Sequence, residues 1–168
     1  MVSIPAVGTG SKIIVRRPPR VKNVGDGEGV VAADAPKIYT GKCLCGDVTF
    51  TAQDMSDIWY CHCTQCQHLT GLYIAAAGVE RDKLTIKGDV NWLPISDRSR
   101  SGHCNSCGSY LFWDMPSRPT VSVLAGNIDN TKGLKVKGHI FVSEKPDYYE
   151  ITDGLPQYET YPEGALRT

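Results

Sequence analysis

The sequence predicts a mainly β domain of short antiparallel strands, and three observations predict it. From Lys37 onward, short runs rich in β-branched and aromatic residues recur between Gly, Pro, Asp or Ser clusters. No window holds apolar residues at the i, i+3, i+4, i+7 spacing of an amphipathic helix for long enough to make one. Seven cysteines fall in three tight clusters, a spacing that folds loops around metal.

Taken in order, residues 1–36 end in NVGDGEGVVAADAP, rich in Gly, Ala and Asp with no periodic apolar face, and read as a flexible extension. The globular domain is expected over 37–162, with a short tail at 163–168. Its expected strands are DVTFTA, DIWYC, LYIAAAGV, KLTIKG, SYLFW, TVSVLAGNI and KGHIFV. The segment TQCQHLTG predicts a turn or two of helix, with Gly71 as its stop.

The chain of 168 residues is long enough for one domain with a real core, and its 41% hydrophobic content agrees with a globular one. Eighteen basic and 18 acidic residues cancel to a formal charge of zero. That balance argues against nucleic acid or an anionic membrane as partner. The start of the chain lacks the apolar core and small-residue cleavage site of a secretory signal. A cytoplasmic, reducing setting is therefore expected, in which clustered thiols mean metal or chemistry more often than disulfides.

The clusters are Cys43 and Cys45 in GKCLCGDV, Cys61, Cys63 and Cys66 in CHCTQC, and Cys104 and Cys107 in HCNSCGSY. Two cysteines on a tight turn can aim both sulfurs at one point about 2.3 Å away, the zinc–thiolate distance. Gly46 and Gly108, just after the outer pairs, suit such knuckles because glycine accepts positive φ without strain. Seven divides most naturally as four plus three. The outer pairs make a closed structural zinc site, and the middle three hold a second zinc with one position open, as catalytic sites do. Disulfides, a redox Cys-x-x-Cys pair, or one zinc with three incidental thiols are the competing readings. His62 is a further candidate ligand, but in an extended segment its side chain points away from both flanking cysteines. His103, beside Cys104, has the same geometry. Trp59, Tyr60, Tyr73, Phe112 and Trp113 are candidates for a pocket, with core as the commoner fate of such residues.

With the three clusters in this order, the chain resembles the glutathione-dependent formaldehyde-activating enzymes, whose domain is shared with centromere protein V. GKCLCGDV, CHCTQCQHLTG, CNSCGSYLF and GHIFVSEKPDYYEITDGLPQY carry the resemblance over 37–161. It implies a tent-shaped β fold of the Mss4-like kind and two zinc ions per chain. By the same resemblance Cys43, Cys45, Cys104 and Cys107 are structural zinc ligands, and Cys61, Cys63 and Cys66 are the catalytic ones, with no fourth ligand from the chain. The implied activity is that of a carbon–sulfur lyase joining formaldehyde to glutathione. The thiol partner is then glutathione or an adduct of it, and self-association of the chain is compatible with the sequence. A zinc held by three thiolates suits a soft sulfur ligand better than it activates water. The backbone N–H groups of the CTQCQ turn are expected to offset the added charge. The competing class is a non-catalytic zinc module of the centromere protein V type, for which the only basic cluster, RRPPRVK, is small.

Overall fold

The computed structural model describes residues 35–162. The expected extension at 1–36 lies outside the described residues apart from its last two, and so does the tail at 163–168. Among the described residues no helix is long and apolar enough to cross a membrane.

Among the described residues, ten strands form two sheets. β1 (Ile38–Lys42), β2 (Thr49–Gln53) and β5 (Leu84–Lys87) make a small antiparallel sheet in the order β1-β2-β5. The larger sheet contains β3 (Ile58–Cys61), β4 (Ile74–Glu80), β6 (Val90–Pro94), β7 (Arg100–Cys104), β8 (Tyr110–Asp114), β9 (Thr120–Leu124) and β10 (Val136–Ile140). Its order is β10-β3-β4-β9-β8-β7-β6. All its pairings are antiparallel except β10 with β3, which run parallel. One helix, α1 (Thr64–Thr70), follows the middle cysteines and ends at Gly71 in the left-handed conformation, as its sequence predicts.

The seven predicted strands all form; β1, β6 and β7 were not anticipated. β7 reads RSGHC, with no β-branched residue, and β6 ends in Pro94 beside it at the sheet's edge. Their pairing partners make them strands, which local propensity does not report.

Strand alternation gives the large sheet two different faces. Ile58, Ala77, Val79, Phe112, Val121 and Val123 are buried on one face, where they meet Tyr39, Phe50 and Ala52 of the small sheet. Phe50 packs edge-on against Phe112, with centroids 5.6 Å apart. The other face carries Trp59, Cys61, Ala76, Gly78, Trp113 and Ser122, and these surround a cavity instead of a core.

Asp114, fully buried at the end of β8, is clamped between two arginines. Arg81 reaches one carboxylate oxygen at 2.7 Å and Arg100 the other at 2.8 Å. Arg81 also donates to the carbonyl of Arg118 at 3.1 Å, so the clamp fixes the turn after β8. Both arginines remain about 40% exposed whereas Asp114 is at 0%. Removing the carboxylate strands two charges, but removing either arginine leaves the other pair intact. Asp114→Ala should cost about 3–5 kcal/mol, and Arg81→Ala or Arg100→Ala about 1 kcal/mol each. Urea denaturation of the three variants tests this, and equal costs would remove Asp114 from the centre of the network.

Candidate functional site

The outer cysteines form one cluster. Cys43, Cys45, Cys104 and Cys107 place their sulfurs within 4.8 Å of one another. Cys43 and Cys45 are 3.4 Å apart, and Cys45 and Cys104 3.7 Å. Four thiolates at 2.3 Å around a tetrahedral ion would be about 3.8 Å apart, whereas a disulfide needs about 2.05 Å. The two turns close in the same way, though the second is one residue longer. Gly46 donates to the Cys43 carbonyl and Gly108 to the Cys104 carbonyl, with φ of 89° and 73°. An added Cβ would meet nothing within 4 Å at either glycine, so backbone conformation alone selects the residue. Ser109 ties the turns together, its hydroxyl accepting from the Leu44 N–H and lying 3.2 Å from the Cys107 sulfur. Ser109 leads the groups that pull Cys107 down to about 5. Cys45, despite the Asp47 N–H, is raised to about 12 by Cys43 and its other sulfur neighbours.

Cys61, Cys63 and Cys66 form the second cluster, also within 4.8 Å, with Cys63 and Cys66 at 3.4 Å. Cys61 ends β3, Cys63 precedes α1 as its N-cap, and Cys66 is buried on the helix. Cys63 is lowered by Cys61 and Cys66 first, and then by the backbone N–H groups of Cys66 and Gln65. Cys61 is raised to about 12, with Cys63 the foremost cause, and Cys66 is raised as well. Of the three thiols, Cys63, at the start of the helix, is the one whose pKa is lowered. Of the turn's N–H groups, that of Thr64 is occupied by the Glu144 carboxylate at 2.7 Å. The charge-offsetting role expected of this turn falls to Gln65 and Cys66.

His62 does not join either cluster. It is fully buried on the opposite side of the strand, between His139, Tyr73 and Tyr149. Its Nε2 lies 2.8 Å from His139 Nδ1, and its Nδ1 bonds the Tyr149 hydroxyl. His139 Nε2 in turn lies 3.0 Å from Asp153. One proton per ring satisfies the whole chain: Tyr149 donates to His62, His62 to His139, and His139 to Asp153. Burial first, then His139, lowers the His62 pKa to about 4, in keeping with a neutral ring. Both nitrogens are engaged, so His62 has none to offer a metal. His103 likewise stays outside, stacked on Tyr110 at 4.7 Å with Nε2 3.0 Å from the Ser101 hydroxyl.

Beside the three-cysteine cluster lies a cavity of about 440 Å³. Its floor is Ala76, Gly78 and Ser122, and the small side chains are what leave the space. Trp59 is paired across from Ala76, and Trp113 across from Ser122, so two indoles flank the hollow. The Trp113 N–H donates to Gln65 of α1 at 3.1 Å. Phe141, Glu144, Arg118 and Tyr161 complete the rim. The candidate aromatic residues thus divide: Trp59 and Trp113 line the cavity, Phe112 is core, and Tyr60 and Tyr73 lie on the His62 side.

The family model for the glutathione-dependent formaldehyde-activating enzymes matches residues 38–144. The chain belongs to this family. Among curated proteins nothing matches. Among solved structures, a crystal structure of a Rhodobacter sphaeroides protein is similar over 60% of this chain and 98% of that one. Its identity is 20% and its TM-score 0.48.

The formaldehyde-activating family implies metal, and the donor sets fit one. Both clusters offer only soft thiolates, which suit zinc, and at spacings that match a tetrahedral edge. A further residue stands near the open cluster that sequence reasoning missed. The Tyr110 hydroxyl is buried with no hydrogen-bond partner among the described residues. Burial, followed by the charges of Cys66, Cys63 and Cys61, raises its pKa. A register shift beside Gly102 pairs Tyr110 with His103 and turns it to this side, and only the fold reveals that shift. Leaving a buried hydroxyl unpaired costs about 1–3 kcal/mol. Tyr110→Phe should therefore leave the unliganded protein equally stable or stabilise it. Thermal melts check this, and a loss of several degrees would mean the hydroxyl has a partner.

Proposed function

We propose that the protein makes or breaks a carbon–sulfur bond between glutathione, or a related thiol, and a small carbon electrophile such as an aldehyde, using two zinc ions per chain. The observation that carries this reading is the three-thiol cluster at the edge of a cavity, with no fourth cysteine, histidine or carboxylate grouped with it among the described residues. Cys43, Cys45, Cys104 and Cys107 would hold a structural zinc. Cys61, Cys63 and Cys66 would hold the catalytic one. When bound there, that ion supplies a soft Lewis-acid position at which a thiol ionises near neutral pH.

The chain's own residues do the rest. The N–H groups of Gln65 and Cys66 stabilise negative charge at the cluster. Ile74, Ile140 and Trp59 line the adjoining cavity and keep it apolar. The His62–His139–Asp153 chain anchors the strand end between Cys61 and Cys63 from behind. In the joining direction the thiol sulfur bonds to the aldehyde carbon, the carbonyl π pair moves to oxygen, and the thiol proton ends on that oxygen. The reverse step restores both molecules. No oxidant or reductant is needed.

The two clusters should respond differently to mutation. Cys107→Ser should impair folding, since structural zinc in small domains contributes about 10 kcal/mol or more of coupled folding free energy. Cys63→Ser should fold, retain about one zinc in place of two, and lose activity. Elemental analysis and circular dichroism read the difference, and identical behaviour of the two variants would end the division of roles.

Thiol binding should be linked to a proton. A free thiol ionises near pH 8.5, so binding as thiolate releases about one proton at pH 7. Apparent affinity for glutathione should then rise about tenfold per pH unit below that value and level off above it. S-methylglutathione, which cannot ionise, should bind far more weakly. Calorimetry in buffers of different ionisation enthalpy counts the proton, and cobalt in place of zinc reports the ligand change in its visible spectrum. Equal affinity for thiol and methyl ether with an unchanged spectrum would sink the reading.

A further inference from the structure

The cavity beside the open cluster is more aromatic than glutathione and formaldehyde require. Sites of roughly 300–1,000 Å³ typically enclose drug-sized ligands, and this one measures about 440 Å³. Its aromatic walls are Trp59, Trp113, Phe141 and Tyr161. Phe141 holds φ at 58°, the left-handed region that a bulky residue adopts only at a cost of about 1–3 kcal/mol. The position retains an aromatic side chain facing the cavity where glycine would be easier. Tyr161 meets Phe141 edge-on at 5.0 Å, which extends the flat surface.

Among the described residues, one cation lines this cavity. Arg118 sits with its guanidinium 5.9 Å from the Trp113 ring, on the rim it shares with Tyr161. No carboxylate among the described residues pairs with it. The lining's only acid, Glu144, is already occupied by the Thr64 N–H. The backbone of Arg118 is tied down, because its N–H donates to the Met115 carbonyl at 2.8 Å and its carbonyl accepts from Arg81. A planar guanidinium with no carboxylate partner among the described residues, and aromatic surface beside it, is suited to a carboxylate.

We propose that the cavity selects a carboxylate-bearing thiol adduct whose carbon side is a flat apolar group, with Arg118 holding the carboxylate and Trp59, Trp113 and Phe141 flanking the apolar group. This rests on the thiol reading of the open cluster and names its substrate class. The smallest aldehydes then make poor use of the site. Aromatic or conjugated electrophiles fill it.

The test uses thioethers and the full zinc-loaded chain. Affinities are measured by calorimetry for S-methylglutathione, S-benzylglutathione and the diethyl ester of S-benzylglutathione. The benzyl adduct should bind at least about tenfold more tightly than the methyl adduct, and its diester about tenfold more weakly than the acid, one charge-assisted contact being worth that much. Arg118→Met should weaken the acid about tenfold and change the diester less than about twofold. Equal binding of benzyl and methyl adducts would overturn the flat apolar group. Equal loss for acid and diester in Arg118→Met would overturn the carboxylate contact. Should Arg118→Met fail to fold, Arg118→Lys and the wild-type acid–diester ratio decide it, and a ratio near one overturns the assignment. Thioethers do not ionise, so these affinities stand or fall apart from the comparison of glutathione with its methyl ether.

Discussion

Sulfur crowding is the constraint on which the rest of the molecule depends. Thiols 3.4 to 3.7 Å apart from two turns some sixty residues distant in sequence cannot all ionise side by side. They sit together stably as thiolates only around a cation. The four-cysteine cluster brings the turn after β1 against the hairpin of β7 and β8. Ser109 bridges the same two turns by hydrogen bonds, so the loops are matched in shape before any ion joins them. In the open cluster the same crowding lowers the pKa of Cys63, with the backbone N–H groups of Cys66 and Gln65 adding to the effect.

The large sheet separates two kinds of surface by nothing more than strand alternation. Odd and even residues of β4 and β9 go to the core and to the cavity in turn, and a one-residue slip would exchange them. The cavity is kept hollow by Ala76, Gly78 and Ser122, and its height is set by the indoles on the neighbouring strands. Behind the ligand strand, the buried His62 and His139 pair fixes the backbone from the other side. The C-terminal DGLPQY segment takes part: Asp153 receives His139, and the Tyr158 N–H bonds the His139 carbonyl at 2.8 Å. The motif thus acts as a strap along β10, and the only parallel pair in the sheet, β10 with β3, lies between that strap and the cysteines.

The grouping of the cysteines was legible because such clusters follow local rules. Paired cysteines must share a tight turn, the turn needs a glycine at positive φ, and both demands are written within six residues of chain. Alternation and turn residues likewise exposed seven of the ten strands. His62 could be set aside as a ligand from strand geometry alone, since neighbouring side chains diverge. The sequence by itself thus determined the β class, the grouping of cysteines, and the helix from Thr64 to its stop at Gly71. The tertiary structure decided what depends on register. It made strands of β6 and β7 by pairing, sent Trp113 to the cavity and Phe112 to the core, and turned Tyr110 toward the open cluster through a bulge. It also brought Arg118 and Tyr161 to one rim from segments that carry no shared local signal. Local rules act over a few residues, whereas a cavity is a relation among strands, and only their assembled order specifies it.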